Sequence, residues 1–284
     1  MPPTRLTTVD HSRDASGFTY VYPVVSRRAG GVSVGVNLNP NNACNWRCIY
    51  CQVPNLVHGA GPELDLGRLE DELSQQLEDI LHGEFMKTRV PPDAQRLSDV
   101  AFSGNGEPTS SPQFEEAVAR VGKVLSRHEL IGTIKVVLIT NGSLMHRASV
   151  RNGISRLARL GGEIWFKIDA LTRERALLLN NNAPTREHIR RNLALAAQRC
   201  TTRIQSCVLA LDGAPPPEVE VEAFLAFLRQ LKRERIPLRD VMLYGPRRAS
   251  MQPEANRISE LDPTWVRTYA ERIRKTGTAV EVHT

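Results

Sequence analysis

The stretch Cys44-Asn-Trp-Arg-Cys48-Ile-Tyr50-Cys51 carries three cysteines at the spacing C-x3-C-x2-C. The chain of 284 residues holds only five cysteines, so this is a local concentration of thiols. Thiolates brought this close together make a soft-metal site. A structural zinc site wants four closed ligands, usually in two pairs set well apart. No second C-x2-C pair exists here, and His58 is the histidine that could complete such a set. A [4Fe–4S] cluster usually takes four thiolates. Three would leave one iron open to a ligand that is not protein. Three buried structural cysteines are the remaining alternative.

Downstream lies Ser103-Gly104-Asn105-Gly106-Glu107-Pro108-Thr109. Without a Cβ, Gly104 and Gly106 let backbone come close to a ligand. Asn105 lies between them, and Glu107 supplies a carboxylate. A third stretch, residues 163–170 (EIWFKIDA), reads as a strand. Side chains alternate along a strand, so Trp165, Lys167 and Asp169 share one face, and Ile164, Phe166 and Ile168 the other. The wholly apolar set belongs against helices. Lys167 and Asp169 then point inward, where a charge must be paired or ligand-bound. They form an internal ion pair or contact a cofactor or substrate, and Lys167 is a candidate catalytic residue. Asn141, Gln205 and Tyr244 join the pocket candidates by their positions in or after strands. Cys207 reads as a small buried residue in mid-strand. Cys200, just before that strand, is the second candidate catalytic residue.

Holding these residues together takes a regular scaffold. Strands are expected at 32–38, 99–103, 133–140, 163–170, 203–211 and 240–244. Helices are expected near 65–82, 113–126, 148–160, 185–198 and 219–233. The leucines at 66, 69, 73, 77 and 81 keep to one face of the first helix. Residues 83–96 read as an irregular insert. Six-fold alternation of strand and helix means βαβ units, hence a parallel sheet with right-handed crossovers. An open doubly wound sheet is the rival. The unusual residues, however, fall at successive strand ends, as they do in parallel barrels. The expected fold is therefore α/β, an incomplete (β/α)6 barrel over 32–250. Residues 1–31 form an N-terminal extension with a short strand near 18–25. Residues 251–284 supply a C-terminal helix near 263–275 and a short strand, 278–282, packed on the barrel.

No apolar run approaches a membrane span and no signal-peptide core opens the chain, so a soluble cytoplasmic protein is expected. A reducing compartment suits metal-binding thiolates. The net charge is +6 and the pI about 9.3. That is compatible with nucleic acid. The arginines are scattered over several expected helices, though, which reads equally as solvated faces. There is no Walker P-loop, no G-x-S-x-G and no H-x-x-x-H pair.

Together the two motifs resemble the radical S-adenosylmethionine (SAM) superfamily. The cysteine loop matches its C-x3-C-x-φ-C signature with Tyr50 at φ, and GNGEPT matches its GGE motif in the GxGEP form. The resemblance implies an oxygen-sensitive [4Fe–4S] cluster on Cys44, Cys48 and Cys51, with SAM on the fourth iron. An electron from a low-potential donor, flavodoxin or ferredoxin, would cleave SAM to a 5′-deoxyadenosyl radical that abstracts hydrogen from a substrate. Tyr50 would pack beside the adenine, Glu107 would accept from the SAM ammonium, and Lys167 or Asp169 would meet SAM or substrate. CNWRCIYCQ, SGNGEPTSSP, LITNGS, WFKIDA and NNNAP further resemble the wyosine-synthesis branch, which modifies a tRNA guanosine, so tRNA or another RNA is an expected partner. The archaeal wyosine enzymes carry extra N-terminal cysteines, and residues 1–43 here have none. Glycyl-radical activating enzymes and radical SAM enzymes of peptides or small molecules are the alternatives within the superfamily. A non-catalytic metal-binding protein is the alternative outside it.

Overall fold

The computed structural model describes residues 5–7, 17–26 and 28–283, and eight strands among them form one sheet. They are β1 (Val21–Ser26), β2 (Gly31–Val36), β3 (Leu97–Phe102), β4 (Lys135–Thr140), β5 (Glu163–Lys167), β6 (Thr201–Cys207), β7 (Val241–Tyr244) and β8 (Val280–His283). The first pair is antiparallel and every other neighbour parallel. Spatial order along the sheet is chain order. A doubly wound sheet must reverse its order at a switch point. This one never does, and it curls into a half-barrel with helices outside, the expected incomplete barrel. Both ends of the chain add to it, β1 as a hairpin arm on β2 and β8 in parallel on β7.

The helices are α1 (Leu66–Leu81), α2 (Phe114–Arg127), α3 (Ala148–Arg159), α4 (Arg173–Asn180), α5 (Arg186–Ala197), α6 (Glu218–Arg233) and α7 (Pro263–Arg274). In α1, Asp65 caps the first turn by accepting from the Arg68 N–H, and Leu69, Leu73 and Leu77 are buried. Each such leucine contributes about 1.5–3 kcal/mol through burial. Leu81 leaves the stripe and is exposed. Ile164, Phe166 and Ile168 join the core between sheet and helices, while Trp165 packs with Ala101, Val137 and Met242 on the opposite face. The alternation read in the sequence is therefore correct.

Two α-helices lie where none was expected. Within the 83–96 insert, Phe85–Arg89 forms a short helix. After β5, α4 is capped by the Thr172 hydroxyl and ended by Asn181 at φ 50°. Its sequence hides it because Leu177 and Leu178 are exposed while Ala176 and Leu179 are buried, leaving no clean apolar stripe.

Candidate functional site

The strand ends converge on a cavity of about 320 Å³. Cys44, Cys48, Cys51, Tyr50, Gly104, Asn105, Gly106, Glu107, Asn141, Lys167 and Tyr244 all line it. Asp169 lies behind Lys167 and lines two smaller cavities instead. Gln205 and Cys200 line none of the three. Gln205 is fully buried on β6. Cys200 sits at the opposite end of that strand, and its thiol donates to the Gly162 carbonyl at 3.1 Å.

The cysteine loop is held by asparagines that the sequence did not single out. Asn37 Oδ1 accepts the N–H groups of Asn39 and Asn105, each at 3.0 Å. Asn39 Nδ2 donates to the Ala43 carbonyl at 2.9 Å and to Ser110 Oγ at 3.0 Å. The Asn105 amide donates to Asn42 Oδ1 at 2.6 Å. Inside the loop, Asn45 accepts from Asn141 Nδ2 at 2.9 Å and donates to Ser143 Oγ at 2.8 Å. The loop backbone also bonds to the end of α4, Arg47 N–H to the Asn180 carbonyl at 3.1 Å and Ile49 N–H to the Leu179 carbonyl at 2.9 Å. The glycines of GNGEPT belong to the same docking. A Cβ on Gly106 would stand 2.0 Å from the Ala43 carbonyl, and one on Gly104, at φ 146°, 2.4 Å from Asn37 Oδ1. Close approach at both positions is to the segment leading into Cys44.

Glu107 is buried and fastens two strand ends. Its Oε1 accepts from Thr109 N–H at 3.1 Å, Thr109 Oγ1 at 2.5 Å and Thr140 Oγ1 at 2.6 Å. Among the described residues, its Oε2 accepts only the Asn141 N–H, at 2.7 Å. Burial raises the Glu107 carboxyl above its ordinary pKa, and these bonds oppose the rise. Lys167 Nζ donates to Tyr50 Oη at 2.9 Å and Tyr244 Oη at 3.1 Å, and lies 3.8 Å from Asp169 Oδ2. It also sits over the Tyr50 ring, 4.8 Å from the centroid. Burial alone would lower the Lys167 pKa; Asp169, together with Tyr244, Cys48 and Cys207, outweighs it and holds the group well above its ordinary value. Asp169 has donors besides Lys167: the Tyr50 hydroxyl, Asn180 Nδ2 at 3.1 Å and the Cys207 N–H at 2.9 Å.

All the cysteines are free thiols. Burial pushes Cys44 up to about 12 and Cys48 up to about 11. For Cys48, the Lys167 charge and the Asn180 amide, 3.2 Å from Sγ, pull the other way. Buried N–H donors and a cation aimed at a sulfur suit a metal-bound thiolate. His58 pairs in register with Cys44 on a two-residue ladder, but it is exposed and does not line the cavity. Among the described residues, no three His, Cys, Asp or Glu side chains gather closely enough for one metal ion. Three thiols on one cavity can each take their own iron, so the donor set fits a cluster.

The half-barrel superposes on a radical SAM methyltransferase from Sphaerobacter thermophilus with a TM-score of 0.56 and 16% identity, over 93% of this chain and 68% of that one. At that identity the likeness shows the fold. A UPF0026 protein of Helicobacter pylori is 24% identical over 221 residues, 76% of this chain and 64% of the relative. A protein named GTPase Obg from Brachyspira hyodysenteriae is 26% identical over 132 residues, 46% of this chain and 17% of the relative. The chain thus spans less than two thirds of the length of either of these two. The model of the Radical SAM superfamily matches residues 38–228, from the loop before Cys44 into α6, and the chain belongs to that family.

Proposed function

We propose that Cys44, Cys48 and Cys51 hold a [4Fe–4S] cluster, that SAM lies beside it against Tyr50, residues 104–107 and Asn141, and that hydrogen is taken from a small molecule seated farther along the same cavity. Radical SAM enzymes use both groups. When bound, these groups supply a hydrogen-abstracting radical from SAM, using one electron from a low-potential donor such as flavodoxin or ferredoxin. The observation that carries the reading is the convergence of three thiols and the GNGEPT turn on one cavity wall. The chain's own residues position and shield. The asparagines fix the cysteine loop, and the Asn180 amide favours charge on Cys48 Sγ. Glu107 Oε2, with one hydrogen bond from the described residues, keeps acceptor capacity for an ammonium. Lys167, tied to Tyr50 and Tyr244, keeps a positive charge between the cysteines and the rest of the cavity. Anaerobic reconstitution tests this: about four irons per chain and a SAM-dependent change in the cluster's EPR signal are expected. Stoichiometric zinc as the sole metal would refute it.

A tRNA base is the second reading, supported by the resemblance to the wyosine branch and by the net charge of +6. The disposition of the arginines favours the small molecule. Arg120 and Arg127 pair with Glu70, Arg190 with Glu187 and Glu234, Arg257 with Asp212, and Arg272 with Glu218 and Glu222. Much of the basic surface is thus engaged by neighbouring carboxylates. Salt-dependent binding of tRNA, with the steep slope that phosphate contacts give, would favour the second reading.

A further inference from the structure

The cysteines follow the C-terminal end of β2. At the other end of the cavity, near the N-terminal ends of β2 and β3, two charges of opposite sign line the wall: Arg28 and Asp99. Arg28 follows β1 in the hairpin turn. Its guanidinium carbon lies 4.9 Å from the Tyr244 ring centroid and 5.4 Å from that of Trp165. Among the described residues, Arg28 forms no ion pair within 4.0 Å, with Asp99 or any other carboxylate. Asp99 is buried, and one oxygen accepts the Ser33 hydroxyl. The other accepts no hydrogen bond among the described residues. The two are still near enough for the Arg28 charge to bear on the Asp99 carboxyl, which burial nevertheless raises to about 6. A buried carboxylate and a half-buried guanidinium held close yet apart are costly without a partner between them. Five guanidinium N–H donors fit an oxyanion, and a free carboxylate oxygen fits an ammonium. The Trp165 and Tyr244 rings supply apolar wall beside both.

We infer that this end of the cavity binds a free α-amino acid as the enzyme's substrate, its carboxylate on Arg28 and its ammonium on Asp99. An α-amino acid carries both charges on one carbon, so it spans a gap too wide for a direct ion pair. The inference rests on the reading of the cavity as the reaction chamber and names the substrate class for it. The test is calorimetric titration of cluster-loaded, full-length protein with SAM, under anaerobic conditions, using the twenty common L-amino acids. At least one should bind with a Kd below about 1 mM. Its decarboxylated amine and its deaminated acid should each bind ten-fold or more weakly, since a charged hydrogen bond is worth about that factor or more. Arg28→Gln and Asp99→Asn should each lose the same factor, with iron content unchanged. The inference falls if no amino acid binds, if the amine or the acid alone binds as well, or if binding survives both substitutions. It also falls if tRNA binds and is the ligand lost in both variants. Iron content and SAM affinity, measured on the same preparations, judge the radical SAM reading separately. Their failure with amino-acid binding intact would sink that reading and leave this site standing.

Discussion

Replacing Asp99 by asparagine should stabilise the protein, and more so at neutral than at acid pH. Burial lifts the Asp99 carboxyl from an ordinary 3.8 to about 6 against the pull of the Ser33 hydroxyl, Arg28 and Lys135, with Glu163 adding to the rise. The folded state therefore keeps the proton up to a higher pH than the unfolded chain does. Between the two values the folded state binds more protons, so stability falls as pH rises through that window and levels off above it. At about 1.4 kcal/mol per pKa unit, ionised Asp99 costs the native state about 3 kcal/mol. Asparagine still accepts from Ser33 and carries no charge. Its gain over wild type should be about 1 kcal/mol near pH 4.5 and about 3 kcal/mol near pH 8. Urea unfolding of wild type and variant in the metal-free form at both pH values measures it, because the difference between the two gains cancels every other titrating group. Equal gains at the two pH values, or a loss at pH 8, would refute the assignment of Asp99 as an uncompensated buried charge.

Alanine at Cys44, Cys48 or Cys51 should abolish cluster binding, read as loss of iron and of the cluster's visible absorption. Glu107→Ala should lower SAM affinity roughly ten- to a hundred-fold. It should also cost about 3 kcal/mol of stability or more, because the donors of Thr109, Thr140 and Asn141 lose their acceptor; normal unfolding with normal SAM titration would place Glu107 outside both roles. Asn180→Leu removes the donor to Cys48 Sγ and should weaken iron retention about ten-fold, measured by chelator challenge. Lys167→Met should cost about 1–3 kcal/mol, less than the 3–5 kcal/mol of a stranded partner, since Asp169 keeps three other donors; a larger loss in urea unfolding would show Lys167 to be its essential counter-ion.

What could be read from the sequence was whatever local spacing determines. The cysteine motif, the GNGEPT turn and the alternation around Lys167 all lie within single short segments, and the cavity gathers them. Chain-order alternation gave the half-barrel for the same reason, since each βαβ unit places its strand beside the last one. Contacts between distant segments were hidden. Asn37 lay inside an expected strand and Asn42 just beyond it, and only the fold reveals that both meet Asn105. Asn180 belonged to a helix with no amphipathic signal. Arg28 and Asp99 lie far apart in the chain, one in a basic turn and one at the start of an apolar strand.

The same contrast bears on what the glycines and Glu107 are for. From the motif alone, Gly104 and Gly106 make room for a ligand and Glu107 binds it. In the fold, a Cβ at either glycine strikes the Asn37–Ala43 segment, and Glu107 spends one oxygen entirely on holding the ends of β3 and β4. Positioning and binding are therefore carried by the same few residues. A substitution that loosens the turn moves Ala43, and with it Cys44, before it touches any ligand. Iron retention in a Gly106→Ala variant should fall together with SAM affinity. A variant that lost SAM alone would mean that the turn faces the ligand and bears no load from the cysteine loop, against the 2.0 Å contact that a Cβ there would make.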